Sequence, residues 1–150
     1  MKISTRGRYG LRAMADLASQ DSNESIKLKS IAERQGISEH YLEQLIAVLK
    51  KAGFVKSVRG SRGGYHLNIP PERISVGDIL RVLEGPLYPV DCVSADGDNS
   101  CGDADCGACV AKPVWEKLYS SLSGVVDSIM LKDLTTNNTG DDINERQDIL

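Results

Sequence analysis

The sequence predicts a mostly α-helical chain with one small β wing and a long C-terminal helix, on three observations. Two amphipathic segments meet at Gly36-Ile37-Ser38, and a glycine-rich turn with two arginines, Arg59-Gly60-Ser61-Arg62-Gly63, separates two short β-type runs. Apolar residues then recur at steps of three, four, three and four from Trp115 to Ile129. A short helix, a glycine turn, a capped second helix and a hairpin make a winged helix-turn-helix. With 150 residues, 41% of them hydrophobic, the chain can bury a real core and is not disordered throughout.

The first helix is expected over Ser4 to Ala18, where Tyr9, Leu11, Met14, Leu17 and Ala18 fall at helical spacings. Arg6, Arg8 and Arg12 lie near its start, where the helix dipole disfavours cations, so an external anion is expected to compensate them. Lys29 to Gln35 forms the second helix, with Ile31 and Ala32 inward and Gly36 as a left-handed cap. Ser38 caps the third, with Glu39 in its first turn and Leu42, Leu45, Ile46 and Leu49 on the buried face.

Phe54 to Val58 and Gly64 to Asn68 read as the two strands of a hairpin tipped by Arg59 and Arg62. After Pro70-Pro71, Ser75 and Asp78 form a capping pattern that opens a helix running to Glu84 and stopped by Gly85-Pro86. Ile79, Val82 and Leu83 should pack on the winged helix. Residues 91–109 show neither helical nor alternating periodicity and hold little to bury, so something other than a core must order them.

Pro113 suits the first position of the last helix, whose seam of Trp115, Leu118, Leu122, Val125 and Ile129 is expected to be a dimer interface. The organisation read from the sequence is therefore a winged-helix domain over 1–85, a cysteine-rich loop over 86–112, a dimerisation helix over 113–134 and a polar flexible tail over 135–150.

Net charge is only −3, but it is unevenly placed. Residues 1–90 hold 14 Lys+Arg against 9 Asp+Glu, or +5, and residues 91–150 hold 4 against 12, or −8. A basic half suits a polyanion such as double-stranded DNA. On the third helix His40, Tyr41, Glu43, Gln44, Ala47 and Lys50 face away from the apolar stripe. Gln44 has the groups to pair with adenine and Glu43 to accept from cytosine, while the Ser38 and Tyr41 hydroxyls suit phosphate. Arg8 and Tyr9 of the first helix and Arg59 and Arg62 of the wing complete the DNA-facing set, the wing arginines beside a minor groove.

No phosphate-loop frame or catalytic constellation is present: GSRGG lacks the terminal Gly-Lys-Ser/Thr, and His66 reads as a strand residue. The chain is read as a binding protein, not an enzyme, without a small-molecule substrate. No apolar run approaches a membrane span and the N-terminus lacks an export signal, so a cytoplasmic protein with no membrane partner is expected.

Cys92, Cys101, Cys106 and Cys109 all fall in the acidic half, where a cytosolic chain uses clustered thiols as metal ligands or redox groups. The C-x4-C-x2-C spacing of the last three is that of plant-type [2Fe-2S] ligation, with Cys92 as a fourth, upstream ligand. Four thiolates suit structural zinc as well, and a thiol switch stays open; only Cys106 and Cys109 make the paired spacing typical of zinc. Calcium does not fit, because Cys101 stands where its loop needs glycine.

The segments Thr5-Arg6-Gly7-Arg8-Tyr9-Gly10, Ile31-Ala32-Glu33-Arg34-Gln35-Gly36-Ile37-Ser38, Tyr41-Leu42-Glu43-Gln44-Leu45, Val58-Arg59-Gly60, Gly63-Gly64-Tyr65 and Gly77-Asp78-Ile79-Leu80 closely resemble the Rrf family of bacterial winged-helix regulators, over almost the whole chain to about Leu134. The cysteine loop followed by a Trp-bearing helix looks like its iron-sulfur cluster regulator branch. That resemblance implies a homodimer with one [2Fe-2S] cluster per subunit that represses cluster-assembly genes. It maps the three loop cysteines onto Cys92, Cys101 and Cys106; the fourth position is commonly histidine in that branch and is Cys109 here. Sister branches sense nitric oxide through a cluster or regulate cysteine metabolism without one. An electron-transfer protein is the rival outside the family, and it would need no arginine-tipped wing.

Overall fold

The computed structural model describes residues 1–20, 23–94, 100, 101 and 104–136; the side chains of 100, 101, 104–106 and 136 lie outside the described set. Helix α1 spans Thr5–Ser19, and Ser4 starts it by accepting the Arg6 amide on its hydroxyl. Helix α2 spans Leu28–Gln35 and ends at Gly36, whose φ of 65° and ψ of 37° place it in the left-handed region that glycine adopts at no steric cost. The Ile37 amide then reaches back to the Ala32 carbonyl at 3.1 Å. Helix α3 spans Glu39–Lys51; the Ser38 hydroxyl accepts the Tyr41 amide at 3.2 Å, and Leu42, Leu45, Ile46 and Leu49 are all buried as their spacing predicts.

Strands β1 (Val55–Val58) and β2 (Gly64–Leu67) pair antiparallel, with Val55 opposite Leu67 and Val58 opposite Gly64. The hairpin has a third partner that the sequence reading did not assign. Ile26 exchanges two 2.8 Å backbone bonds with Tyr65, tying β2 near the tip of the wing to the chain that enters α2. A Cβ at residue 64 would collide with the Ile26 backbone, so this approach requires Gly64.

Helix α4 spans Val76–Glu84 and opens with both bonds of a capping box, Asp78 N–H to the Ser75 hydroxyl and Ser75 N–H to the Asp78 carboxylate. Its Ile79 and Leu83 join the main core beneath α1 and α3, with Val82 at the edge. Its other face, Val76 and Leu80, forms a second cluster with Leu87 and Val126. Two-residue strands β3 (Ser100–Cys101) and β4 (Ala104–Asp105) pair with each other, and short 3₁₀ turns lie at Asp91–Val93 and Cys106–Ala108.

Helix α5 spans Lys112–Ser128 and packs on α4. The Arg81 guanidinium clamps both Asp127 carboxylate oxygens, at 2.6 and 2.9 Å, and holds that carboxyl below the usual aspartate range. A helix continuing to Leu134 was expected; the chain instead leaves the helix after Ser128. Val76 N–H donates to the Ile129 carbonyl and Leu131 N–H to the Ile74 carbonyl, both at 2.8 Å, before the short helix α6 at Asp133–Thr136. The physical reason is burial: extended backbone drops Leu131 into the main core with no exposed surface and lays Ile129 against the second cluster. Leu131→Ala should therefore cost about 3 kcal/mol in a urea unfolding titration, the cost of a core leucine cavity and far more than a terminal appendage would show.

Candidate nucleic-acid interface

The sequence places its expected DNA-reading residues on one helix face, and the fold leaves that face open. On α3, His40, Glu43, Gln44, Ala47 and Lys50 are exposed, and Ser38 is exposed at its start. His40 and Gln44 lie one turn apart with their polar side-chain atoms 3.2 Å from each other, so the amide of Gln44 is held while its far side faces outward. Lys50 has a second use, since its ammonium donates to the Ser57 hydroxyl at 2.7 Å and fixes β1 against the helix. Arg59 and Arg62 are exposed at the hairpin tip, where Gly63 N–H closes the turn on the Gly60 carbonyl at 2.9 Å. Among the described residues, Arg8, Arg59 and Arg62 enter no ion pair. Their charge is available to a polyanion.

Tyr9 and Tyr41 are placed differently from what was expected. Both are half-buried, meeting edge to face with ring centroids 6.1 Å apart, and the Tyr41 hydroxyl lies 3.3 Å from the Thr5 hydroxyl. Tyr9 thus sets the start of α1 against the start of α3, with only part of its ring left to solvent. Arg12, for which an external anion was expected, finds internal partners. It donates to the Gln35 side-chain and main-chain oxygens at 3.1 and 2.9 Å and stacks 5.3 Å from the Tyr9 ring centroid.

Beneath this lies an ion pair that the sequence reading missed. The Asp16 carboxylate, only 4% exposed, accepts three bonds from the Arg34 guanidinium and a fourth from the Gln35 amide. Arg34 is held more firmly protonated by that carboxylate. The network pins the end of α2, and with it the Gly36 turn, to α1. At the other end of α1, Glu84 accepts from the Gly7 amide at 2.7 Å and from the Ser4 amide and hydroxyl. These bonds, the Ser4 hydroxyl foremost, hold its carboxyl below the usual glutamate range against the opposing effect of burial, and the nearby Arg6 charge adds to them.

Of the four cysteines, Cys92 and Cys109 are described as free, half-buried thiols. The side chains of Cys101 and Cys106 lie outside the described residues, and among those described no group of three ligand-type residues converges. Backbone placement nevertheless gathers the loop. The turn carrying Cys92 packs against β3, which carries Cys101, and against α5, and the Cys109 carbonyl accepts the Lys112 amide at the start of that helix. Of the expected seam on α5, Leu118 and Val125 are 50% and 56% exposed, Val114 extends the same face, and Trp115 is half-buried. Leu122 and Ile129 pack instead against the second cluster of their own chain.

The family described as Rrf2, iron-dependent transcriptional regulator, matches residues 3–137. The chain belongs to the Rrf2 family. It is 42% identical over 141 residues to the HTH-type transcriptional regulator CymR of Bacillus subtilis, covering 94% of each chain. It is 38% identical over 149 residues to the regulator IscR of Aliivibrio salmonicida, covering 99% of this chain and 86% of that one. Among solved structures it is similar to T. potens IscR, at 49% identity and TM-score 0.72 over 98% of this chain and 91% of that one. It is similar too to CymR, titled the global cysteine regulator of B. subtilis, at 43% identity and TM-score 0.75 over 91% of this chain and 97% of that one. The Rrf2 winged helix, with its two-stranded sheet, is as the sequence predicted, and the chain is a helix-turn-helix transcriptional regulator of this family and not an enzyme. Similarity to both named regulators leaves the signal it senses to chemistry. No helix among the described residues is long and apolar enough to cross a membrane.

Proposed function

We propose that the protein is a homodimeric, DNA-binding regulator that senses iron-sulfur status through a [2Fe-2S] cluster and represses genes of cluster assembly. The observation that carries this reading is the four-thiol loop, whose Cys92 turn packs on the Cys101 strand and whose end runs into α5. The donor set fits the group: four cysteines are present, the two whose side chains are described are free thiols, and the loop sequence around them holds few apolar residues. Cys92, Cys101, Cys106 and Cys109 would hold the cluster, which when bound supplies iron-thiolate bonds and a redox-active centre. The chain's own part is positional. The loop hangs between the end of α4, whose Glu84 caps α1, and the start of α5, whose exposed seam pairs the two subunits. Ordering the loop therefore bears on how the two DNA-reading faces are presented to successive half-sites of a pseudo-palindromic operator.

Anaerobically purified protein should contain two irons and two acid-labile sulfides per chain. Stoichiometric zinc without sulfide would overturn the cluster and leave a zinc-stabilised regulator. Protein with neither, whose DNA binding responds to cysteine metabolites or thiol oxidation, would favour the reading that the 42% identity to CymR supports. On the DNA side, Gln44→Ala should cost about 1 to 3 kcal/mol at one base position and little elsewhere, read by binding to a panel of single-base operator variants. Uniform weakening would remove Gln44 as a base reader.

A further inference from the structure

A cleft of about 210 Å³ opens between the start of α1 and the side of α3, lined by Arg6, Tyr41 and Gln44 with the half-buried Val48 and the edge of the core residue Leu45. Its two ends differ in chemistry. Leu45 and Val48 give it an aliphatic floor, while the Arg6 guanidinium and the Gln44 amide bring donors to its rim. The Arg6 and Gly7 amides at the start of α1 take no part, because the Ser4 hydroxyl accepts the first and the Glu84 carboxylate the second, along with the Ser4 N–H. The Tyr41 hydroxyl is shared with Thr5, and the Gln44 amide with His40. Arg6 is exposed and enters no ion pair among the described residues, with Glu84 near enough to act on it but committed by its bonds to Ser4 and Gly7.

We infer that this cleft is a sugar-phosphate subsite for one DNA strand, in which Arg6 takes the phosphate and the Leu45-Val48 floor takes the deoxyribose. The inference rests on the DNA-binding reading and gives Arg6, for which the sequence asked only for some external anion, a specific place on the DNA strand. Three features favour the backbone over a base edge. The cavity is small, its floor offers no hydrogen bonds, and its one charged group lies on α1, to the side of the helix that presents Gln44 and Glu43. A contact of this kind fixes the register of α3 in the groove without reading sequence. It also gives a use to a cation that stands near the positive end of α1 with no ion-pair contact among the described residues.

The test uses the full-length protein with two duplexes of equal length, one selected by the protein from a random pool and one of mixed sequence lacking that site. Arg6→Ala and Arg6→Gln should weaken binding to both duplexes by the same factor, about thirty-fold per dimer at 0.15 M salt for one contact per subunit. The slope of log affinity against log salt should become shallower by about two per dimer, and Arg6→Lys should restore it. An unchanged slope overturns the subsite. So does a loss confined to one base position, which would make Arg6 a base reader. If the unaltered protein binds neither duplex, the DNA-binding reading falls and the subsite with it; if it binds both and only the Arg6 variants fail to differ, the subsite alone falls.

Discussion

A folded monomer with operator affinity lowered at least about a hundred-fold is the expected result of replacing Leu118 and Val125 together by aspartate. Both side chains are at least half exposed on α5, so the charges meet water in the isolated chain and cost the fold little. Across a two-fold axis the same charges would face each other inside an apolar seam, where like charges are strongly unfavourable. Losing the dimer also loses the second half-site, and linked binding of two modules exceeds either alone by roughly 10² to 10⁴. Sedimentation at micromolar concentration reads the first effect and operator titration the second. Leu122→Asp, the substitution that the seam alone would suggest, is a poorer probe. Leu122 packs on the cluster around Val126 and Leu80, so that variant would confuse dissociation with unfolding. A folded, unchanged dimer after the double replacement would show that subunits pair through another surface.

Cys92→Ala should abolish the visible absorption of the anaerobic protein and bring its iron and sulfide contents near zero, with the thermal unfolding of the winged helix little altered. The loop turn at Asp91–Val93 contributes no residue to either apolar cluster, so the loss should be confined to the loop and its coupling to α5. Cys109→Ala should be the milder change: its position departs from the histidine common in the cluster-regulator branch, and three remaining thiolates can retain part of the cluster. If Cys92→Ala keeps full iron and sulfide, the ligand set is wrong.

Periodicity explains why so much of the fold was legible. The buried face of α3, the Gly36 turn, the Ser38 cap and the Ser75-Asp78 box each follow from local chemistry within four residues, and each is where its spacing put it. What escaped depends on contacts distant in sequence. Asp16 lies on α1 among apolar neighbours, and nothing near it marks Arg34, 18 residues away, as its partner. Ile26 reads as a short apolar run until the wing is folded beside it. Ile129 continues the 3-4-3-4 pattern, but pairing with the Ile74–Val76 backbone and burial of Leu131 outweigh another turn of helix. That alternation of Ile129 and Leu131 is a two-residue period, the one local signal that could have marked the break. Arg12 and Tyr9 show the same limit at the site: their residue types suit DNA, and the fold spends part of each on the other.

If the cysteine loop governs DNA recognition through a cluster, one anaerobic titration shows it. Operator affinity is measured for the same preparation with its cluster and after removal of iron and sulfide, alongside a mixed-sequence duplex. Affinity for the operator, relative to the mixed-sequence duplex, should change at least about five-fold on cluster removal, the low end of typical coupling between linked sites. Equal operator affinity with and without the cluster, in protein shown to carry full iron and sulfide beforehand, would contradict it.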